Sequence, residues 1–489
     1  MSDRLSQGSL VNLAGAAGSA LSTLALVVLT ARVLTPAEAG RVFAVTSAFL
    51  ILAAVLRAGT PTGVVLFVSR ADDATGGTSR RIARRGVRPV LLASAGVGVV
   101  ALALADRLGA ALGTGAVVVV VLALCLPAAT ALDTVLAVTR GEHDMVPTVL
   151  VDRVGRPVLQ LALTGLAALH PTVPTVVVAW SVPYVVALVA AWALTPALRS
   201  RTWPPGPDGE GREFRDFVLA RGAASVIQIC FARLDIVLVA ALAGPAQAAL
   251  YTVATRFVTV AQLVQQAIAT AGEPALGRTM ARRELPAALG IYRTTTLWVL
   301  TLLWPMLITA AVVSPEWLGV FGPAYRTGVD VVVVLTLAML VATGVGMVET
   351  VLNMGGRATV LLVNNVAALV VMVGLDLLLV PGLGAVGAAC GWAAAIVVKN
   401  LLALAQLRGT LPGLPFGRAW LLGACLNVVL VGALPLACGL AWGPPGRWTG
   451  VVVGGTLLAA AYVALRGELG LARLFGRART RPEPVAAAC

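Results

Sequence analysis

Residues 9–33 read SLVNLAGAAGSALSTLALVVLTARV, with no charged side chain before Arg32. About 20 helical residues cross a hydrocarbon core of about 30 Å, and this stretch is longer than that. A membrane-spanning barrel would show alternating segments of about ten residues. The run is unbroken instead, so it predicts a transmembrane helix. A cleaved signal peptide is the competing reading. The run is too long for that and more apolar runs follow, so it is expected to be a retained first helix.

Working outward, similar runs cover 41–69, 89–105, 112–139, 148–169 and 175–197. After a polar segment at 198–216 they resume at 217–243, 250–275, 288–313, 329–352, 359–380, 385–407, 419–440 and 449–465. Across the 489 residues, 59% are hydrophobic and 12% charged, against roughly 25% charged in an average soluble domain. The expectation is an all-α polytopic membrane protein of about fourteen transmembrane helices. The expected parts are an N-terminal six-helix lobe (1–197), a cytoplasmic linker (198–216) and a C-terminal six-helix lobe (217–407). Two additional helices (408–465) and a basic cytoplasmic tail (466–489) complete the chain.

The loops set the orientation. The gaps after odd-numbered spans carry few positive charges: Arg107, Arg326 and Arg447. The gaps after even-numbered spans carry many. Segment 70–88 holds Arg70, Arg80, Arg81, Arg84, Arg85 and Arg88; 198–216 holds Arg199, Arg201, Arg212 and Arg215. Segment 276–287 holds Arg278, Arg282 and Arg283, and the tail Arg466, Arg473, Arg477, Arg479 and Arg481. Cytoplasmic loops are enriched in Arg and Lys, so both termini are expected in the cytoplasm. That rule also absorbs most of the +14 net charge, which in a soluble protein would suggest nucleic acid.

A short internal repeat joins the halves. Thr35-Pro36-Ala37-Glu38-Ala39-Gly40 follows the first span, and Gly244-Pro245-Ala246-Gln247-Ala248-Ala249 follows the seventh. Both link an outward-going to an inward-going helix, as expected of parallel repeats about an axis along the membrane normal.

Six scattered cysteines, with no CxxC, and two histidines (His143, His170) argue against a metal site or a disulfide framework. No P-loop, HExxH, GxSxG or other cofactor or enzyme signature occurs. Asp72-Asp73 lies in a basic loop and reads as solvated. The informative groups are ionisable residues inside spans, each costing about 2.5–3.5 kcal/mol at a helix centre on insertion scales. Arg57 sits mid-span, before Gly59 and Pro61, which favour a local break. Arg153 and Arg156 are three apart, hence on one helical face, beside Asp152. Arg233 and Asp235 lie deep in the seventh span and Arg256 in the eighth; Asp133, Glu273, Glu349 and Asp376 are the other acidic candidates.

Two readings compete for this set. In one, these groups are snorkelling arginines or ion pairs that hold the bundle together, above all Glu273, Asp376 and Arg256 near span ends. In the other, Arg57, Arg153, Arg156 and Arg233 line a wet cationic cavity between the halves. Such a cavity suits a phosphate-bearing cargo, because guanidinium binds phosphate in a bidentate way and stays charged.

The sequence also resembles the polysaccharide transporter branch of the multidrug/oligosaccharidyl-lipid/polysaccharide exporter superfamily, the O-antigen-type flippases. The resembling residues run through both halves. They are Asn12-Leu13-Ala14-Gly15, Ala31-Arg32-Val33-Leu34 leading into the first repeat segment (Thr35 standing where glycine is usual), Arg233-Leu234-Asp235-Ile236-Val237-Leu238, and Tyr251-Thr252-Val253-Ala254-Thr255-Arg256. Further matches are Glu273-Pro274-Ala275-Leu276, Phe321-Gly322-Pro323-Ala324-Tyr325 and the stretch from Pro381 to Ala389. The resemblance implies two six-helix lobes plus two helices in the bacterial cytoplasmic membrane, opening alternately to each side. It implies no enzyme activity and no cofactor. The implied cargo is a polyprenyl-diphosphate-linked oligosaccharide, with membrane lipids and a polysaccharide polymerase as partners. Asp235 or Glu349 is the expected ion-coupling carboxylate. A lipid II flippase, a cation-coupled drug exporter, a membrane glycosyltransferase or ligase, and a non-transporting scaffold stand as alternatives.

Overall fold

The computed structural model describes residues 2–70, 77–195, 198 and 209–468. Asp72, Asp73, most of the linker with Arg199 and Arg201, and the tail arginines Arg473, Arg477, Arg479 and Arg481 lie outside the described residues.

Helix follows helix. The N-terminal part holds α1 (Ser2–Val33), α2 (Pro36–Arg57), α3 (Thr60–Ser69), α4 (Gly77–Ala103), α5 (Ala105–Ala111) and α6 (Ala116–Gly141). A π-helical segment (Thr148–Gly155) leads into α7 (Arg156–Ala167), and α8 is Val173–Ala193. Next come α9 (Glu210–Leu242), α10 (Pro245–Ala254), α11 (Arg256–Ala281), α12 (Leu285–Val312) and α13 (Ser314–Leu318). The chain continues through α14 (Val329–Val345), α15 (Val348–Met354), α16 (Ala358–Leu383), α17 (Ala385–Leu407), α18 (Arg418–Asn427) and α19 (Leu434–Ala464). Among the described residues, ten helices are long and apolar enough to cross a membrane. Gly18–Val33 and Thr60–Ser69 are shorter apolar helices.

Several expected spans are interrupted rather than continuous. The 41–69 stretch breaks where Ala58 (φ 40°) and Gly59 (φ 76°) adopt left-handed backbone. Pro61 then sits in the first turn of α3, where its missing N–H costs nothing. The 329–352 stretch breaks at Gly346 (φ 72°), where the Thr296 side chain leaves no room for a Cβ. The last two expected spans meet at a kink centred on Gly443 (φ 69°), just before Pro444 and Pro445.

Prolines also explain the two π-segments. A helical proline clashes with the carbonyl four residues back, and widening the turn relieves it. The Arg156 N–H, just before Pro157, donates to Val151 O, five residues back. The Leu434 N–H, just before Pro435, does the same to Val429 O.

The two repeat segments build alike. Pro36 and Pro245 each open a helix at its first turn, behind Thr35 and Gly244 respectively. Thr35, the departure from the usual glycine, forms a capping box with Glu38: its hydroxyl accepts from the Glu38 N–H while the Glu38 carboxylate accepts from the Thr35 N–H. The segments also touch. Gly40 lies so close to the Pro245 carbonyl that no side chain fits there.

The chain divides into two compact units. One comprises Met1–Val260, Pro315–Leu335 and Leu362–Ala395; the other comprises Ala261–Ser314, Thr336–Leu361 and Ile396–Cys489. In the first unit, Phe49, Leu126, Leu132, Leu136, Tyr184 and neighbours form one apolar cluster, and Val64, Phe67, Ile82, Phe214 and Val218 another. Near that second cluster, Glu210 at the start of α9 accepts from Arg81 (3.1 Å) and from Arg85 of α4. In the second unit, Tyr292, Met347, Leu352 and Leu407 belong to a further cluster. There the Tyr292 hydroxyl donates to the Val345 carbonyl at 2.6 Å, just before the break in α14–α15.

Candidate functional site

Two cavities within the first unit are lined by four of the candidate charged groups, Arg57 and Asp133 in one and Arg233 and Arg256 in the other. The break after Arg57 positions the first. The Ala58 carbonyl presses against Gly222 of α9, where a Cβ would approach it to 2.5 Å. Glycine there lets the broken backbone of α2–α3 seat directly on α9. One face of α9, with Ser225, Gln228, Ile229 and Ala232 at helical spacing, then lines a cavity of about 380 Å³ together with Arg57 and Asp133.

Arg57 is not free in this cavity. Its Nη1 donates to Asp133 Oδ2 at 3.0 Å and its Nε to the Ala53 carbonyl at 3.2 Å. Arg140, two turns along α6 from Asp133, donates to the other carboxylate oxygen at 2.7 Å and to the Asp133 carbonyl at 3.0 Å. The Asp133 side chain keeps 38% of its surface exposed, so the carboxylate binds two guanidinium groups and still faces the cavity.

A second, smaller cavity, of about 80 Å³, lies beside Arg233, one residue beyond Ala232 on α9. It is lined from α1 by Thr23 and Thr30, from α2 by Thr46 and Ser47, from α8 by Trp180, and from the start of α11 by Arg256. Arg233 makes no hydrogen bond or ion pair among the described residues. Arg256 directs Nε to the Thr252 carbonyl (2.8 Å) and one Nη to the Thr255 hydroxyl (3.2 Å), leaving its other Nη without a bond among the described residues. No carboxylate lines this cavity. The hydroxyls of Thr164 and Thr252, both in its wall, have no partner either. The cavity thus offers two guanidinium groups and several hydroxyls with no carboxylate in its wall, Asp235 acting on both arginines from outside that wall.

Asp235 lies behind this wall. Its carboxylate accepts from the Tyr251 hydroxyl at 2.6 Å and from the Ile236 N–H at 2.7 Å. Asp376 on α16 lies within electrostatic range of Asp235 and Tyr251. It is fully buried, and neither carboxylate oxygen has a hydrogen-bond partner. Gly391 of α17 makes room for it, because a Cβ there would collide with Oδ1.

Of the four arginines expected in one cavity, the structure places Arg57 and Arg233 in neighbouring cavities and the other two outside both. Arg156 is held by Asp152 (2.8 Å) and Gln160 (3.1 Å) and stacks on the Tyr184 ring at 4.8 Å. Arg153 turns toward α1, its Cδ beside Gly15. The π-turn ahead of Pro157 adds a residue to that turn, so spacing of three no longer means a shared face. Two residues expected at span ends sit elsewhere. Arg256 follows a break in the eighth span and lines a cavity, and Asp376 is buried rather than snorkelling. Glu349, in the second unit, pairs with Lys399 at 2.8 Å. Among the described residues no group of three or more His, Cys, Asp or Glu is placed to hold a metal.

The fold is shared with solved transporters. A structure described as the lipid II flippase MurJ in an inward closed conformation superposes with a TM-score of 0.73 at 10% identity, over 95% of this chain and 99% of that one. An inward-facing multidrug resistance transporter of the MATE family, of the MOP superfamily, gives 0.67 at 17% identity, over 80% of this chain and 94% of that one. A MOP superfamily transporter from Pyrococcus furiosus, described as having a binding pocket of reverse polarity, gives 0.56 at 18% identity, over 83% and 95%. A search of curated proteins returns no match. The family model described as polysaccharide biosynthesis protein matches residues 5–280, more than half of the chain. The protein is therefore a multi-pass membrane protein of the polysaccharide biosynthesis protein family.

Proposed function

We propose that the protein flips a polyprenyl-diphosphate-linked oligosaccharide from the cytoplasmic to the outer leaflet of the bacterial cytoplasmic membrane. Two six-helix lobes open alternately, both termini lie in the cytoplasm, and no bond is made or broken in the cargo. The observation that carries this reading is the bond-free guanidinium of Arg233, facing a cavity with Arg256 and no lining carboxylate. A charge in a membrane span is costly and marks a substrate pathway by default. An anionic diphosphate supplies the negative charge that this cavity wall lacks, through charge-assisted bonds stronger than neutral ones. The lipid tail stays in the bilayer while the head group occupies the cavities.

Family membership in polysaccharide biosynthesis favours a glycan destined for a polymer, with the polymerase as downstream partner. Glu349 is already neutralised by Lys399, so ion coupling is assigned to Asp235, with Asp376 beside it. A cation-coupled drug exporter would want the opposite charge on the cavity wall. Lipid II remains a second reading, because its diphosphate suits the same arginines and a lipid II flippase shares the fold. Loss of viability on deletion would select it over a dedicated polysaccharide cargo.

The test is glycan export in a deletion strain complemented with variants. Arg233→Ala and Arg256→Ala should abolish export at unchanged protein level in the membrane. Wild-type export by both would refute the reading.

A further inference from the structure

The two cavities differ in chemistry, and the difference separates two parts of one ligand. The Arg233 cavity presents two guanidinium groups and hydroxyls with no carboxylate in its wall. The Arg57 cavity presents a mixed set: the half-exposed Asp133 carboxylate, an Arg57 fork already engaged by it, and the Gln228 amide. Gln228 is exposed to the cavity from the middle of an apolar helix and has no hydrogen-bond partner among the described residues. An unengaged amide in a transmembrane span costs free energy unless water or a ligand satisfies it.

Such a set suits a phosphate less well than the Arg233 cavity does, because the Asp133 carboxylate already takes up donors of Arg57 and Arg140. It suits a neutral sugar ring. Sugar hydroxyls donate to carboxylate oxygens and accept from amide and guanidinium N–H groups, and each of these is present. The volume, about 380 Å³, lies at the lower end of the usual range for small-molecule sites. Gln228 and Arg233 are five residues apart on one continuous helix, about 7.5 Å along its axis and about 140° apart around it, so the two cavities open on different faces of α9.

We infer that the Arg57–Asp133–Gln228 cavity is a sugar subsite that selects the first residue of the glycan, with Gln228 as its specificity-determining side chain. This rests on the reading of Arg233 and Arg256 as the diphosphate site.

The test measures binding to the full-length protein in lipid nanodiscs. Two probes are used: polyprenyl diphosphate without sugar, and polyprenyl diphosphate carrying one N-acetylhexosamine. The wild type should bind the sugar-bearing probe more tightly. Gln228→Ala should lose about 5–10-fold for that probe, the worth of a hydrogen bond or slightly more, and keep its affinity for the bare diphosphate. Arg233→Ala should weaken both probes alike. Equal affinities of wild type and Gln228→Ala for the sugar-bearing probe would overturn the sugar subsite. So would an equal loss for both probes, which marks a structural effect. Failure of Arg233→Ala to weaken the bare diphosphate would instead remove the phosphate reading, so the two failures are distinct. Gln228→Glu, which keeps size and shape, guards against misfolding: it retains an acceptor but loses the amide donors, so an intermediate preference supports the assignment and a wild-type preference overturns it.

Discussion

Arg57 closes α2 at its break and Arg233 lies well inside α9; both are arginines of apolar helices, yet their surroundings differ. Arg57 is clamped by an aspartate 76 residues away that also holds Arg140. Arg233 faces its cavity with no hydrogen bond or ion pair among the described residues. The first arrangement holds helices together and presents a shared carboxylate. The second keeps a cation available for something that arrives. A membrane arginine is therefore informative in proportion to what its neighbours leave undone.

The sharpest way to break this contrast is Asp133→Ala, which strips two guanidinium groups of one partner. Removing one member of a fully buried pair costs about 3–5 kcal/mol. Asp133 keeps 38% exposure, so a loss of about 2–3 kcal/mol is expected after discounting for that solvation. It should read as a lower thermal midpoint of the purified protein, whereas Arg233→Ala should leave the midpoint near wild type. Equal midpoints for Asp133→Ala and wild type would dissolve the distinction. Next comes Gly222→Ala, which places a Cβ against the Ala58 carbonyl. Overpacking of this kind costs about 1–3 kcal/mol, and the shifted break should carry Arg57 away from Asp133. Retained stability would mean that the α2–α3 break is not seated on α9. The smallest effect is expected for Thr35→Ala. Losing the capping box costs about 1 kcal/mol and should not change glycan export, since the cap stands clear of both cavities.

The sequence made the helices legible because a span of about 20 apolar residues has few other readings. The break at Gly59 and Pro61 was legible too, since both residues disfavour a continuous helix. That Arg57, Arg233 and Asp235 are charged groups carried by apolar helices was legible as well. The pairing did not follow, because Asp133 meets Arg57 only through the packing of α2 on α6. The shared face assigned to Arg153 and Arg156 fails for a reason visible in retrospect: Pro157, next to Arg156, forces the wider turn. Arg256 and Asp376 are expected near span ends, but the helices extend past the expected bounds. The eighth span begins at Pro245 rather than 250, which moves Arg256 about 8 Å further from its end at 1.5 Å per residue. For Asp376 the nearest signal was Gly391 in the following span, a small residue opposite an acidic one.

The central claim is that Arg233 is a vacant diphosphate ligand while Arg57 is largely committed to the protein. Calorimetric titration of the solubilised protein with inorganic pyrophosphate tests it directly. The account predicts measurable binding by wild type, a loss of about 10–100-fold in Arg233→Ala, equivalent to one charge-assisted hydrogen-bonding group, and a smaller loss in Arg57→Ala. Equal affinities of Arg233→Ala and wild type, or a larger loss in Arg57→Ala, would contradict it.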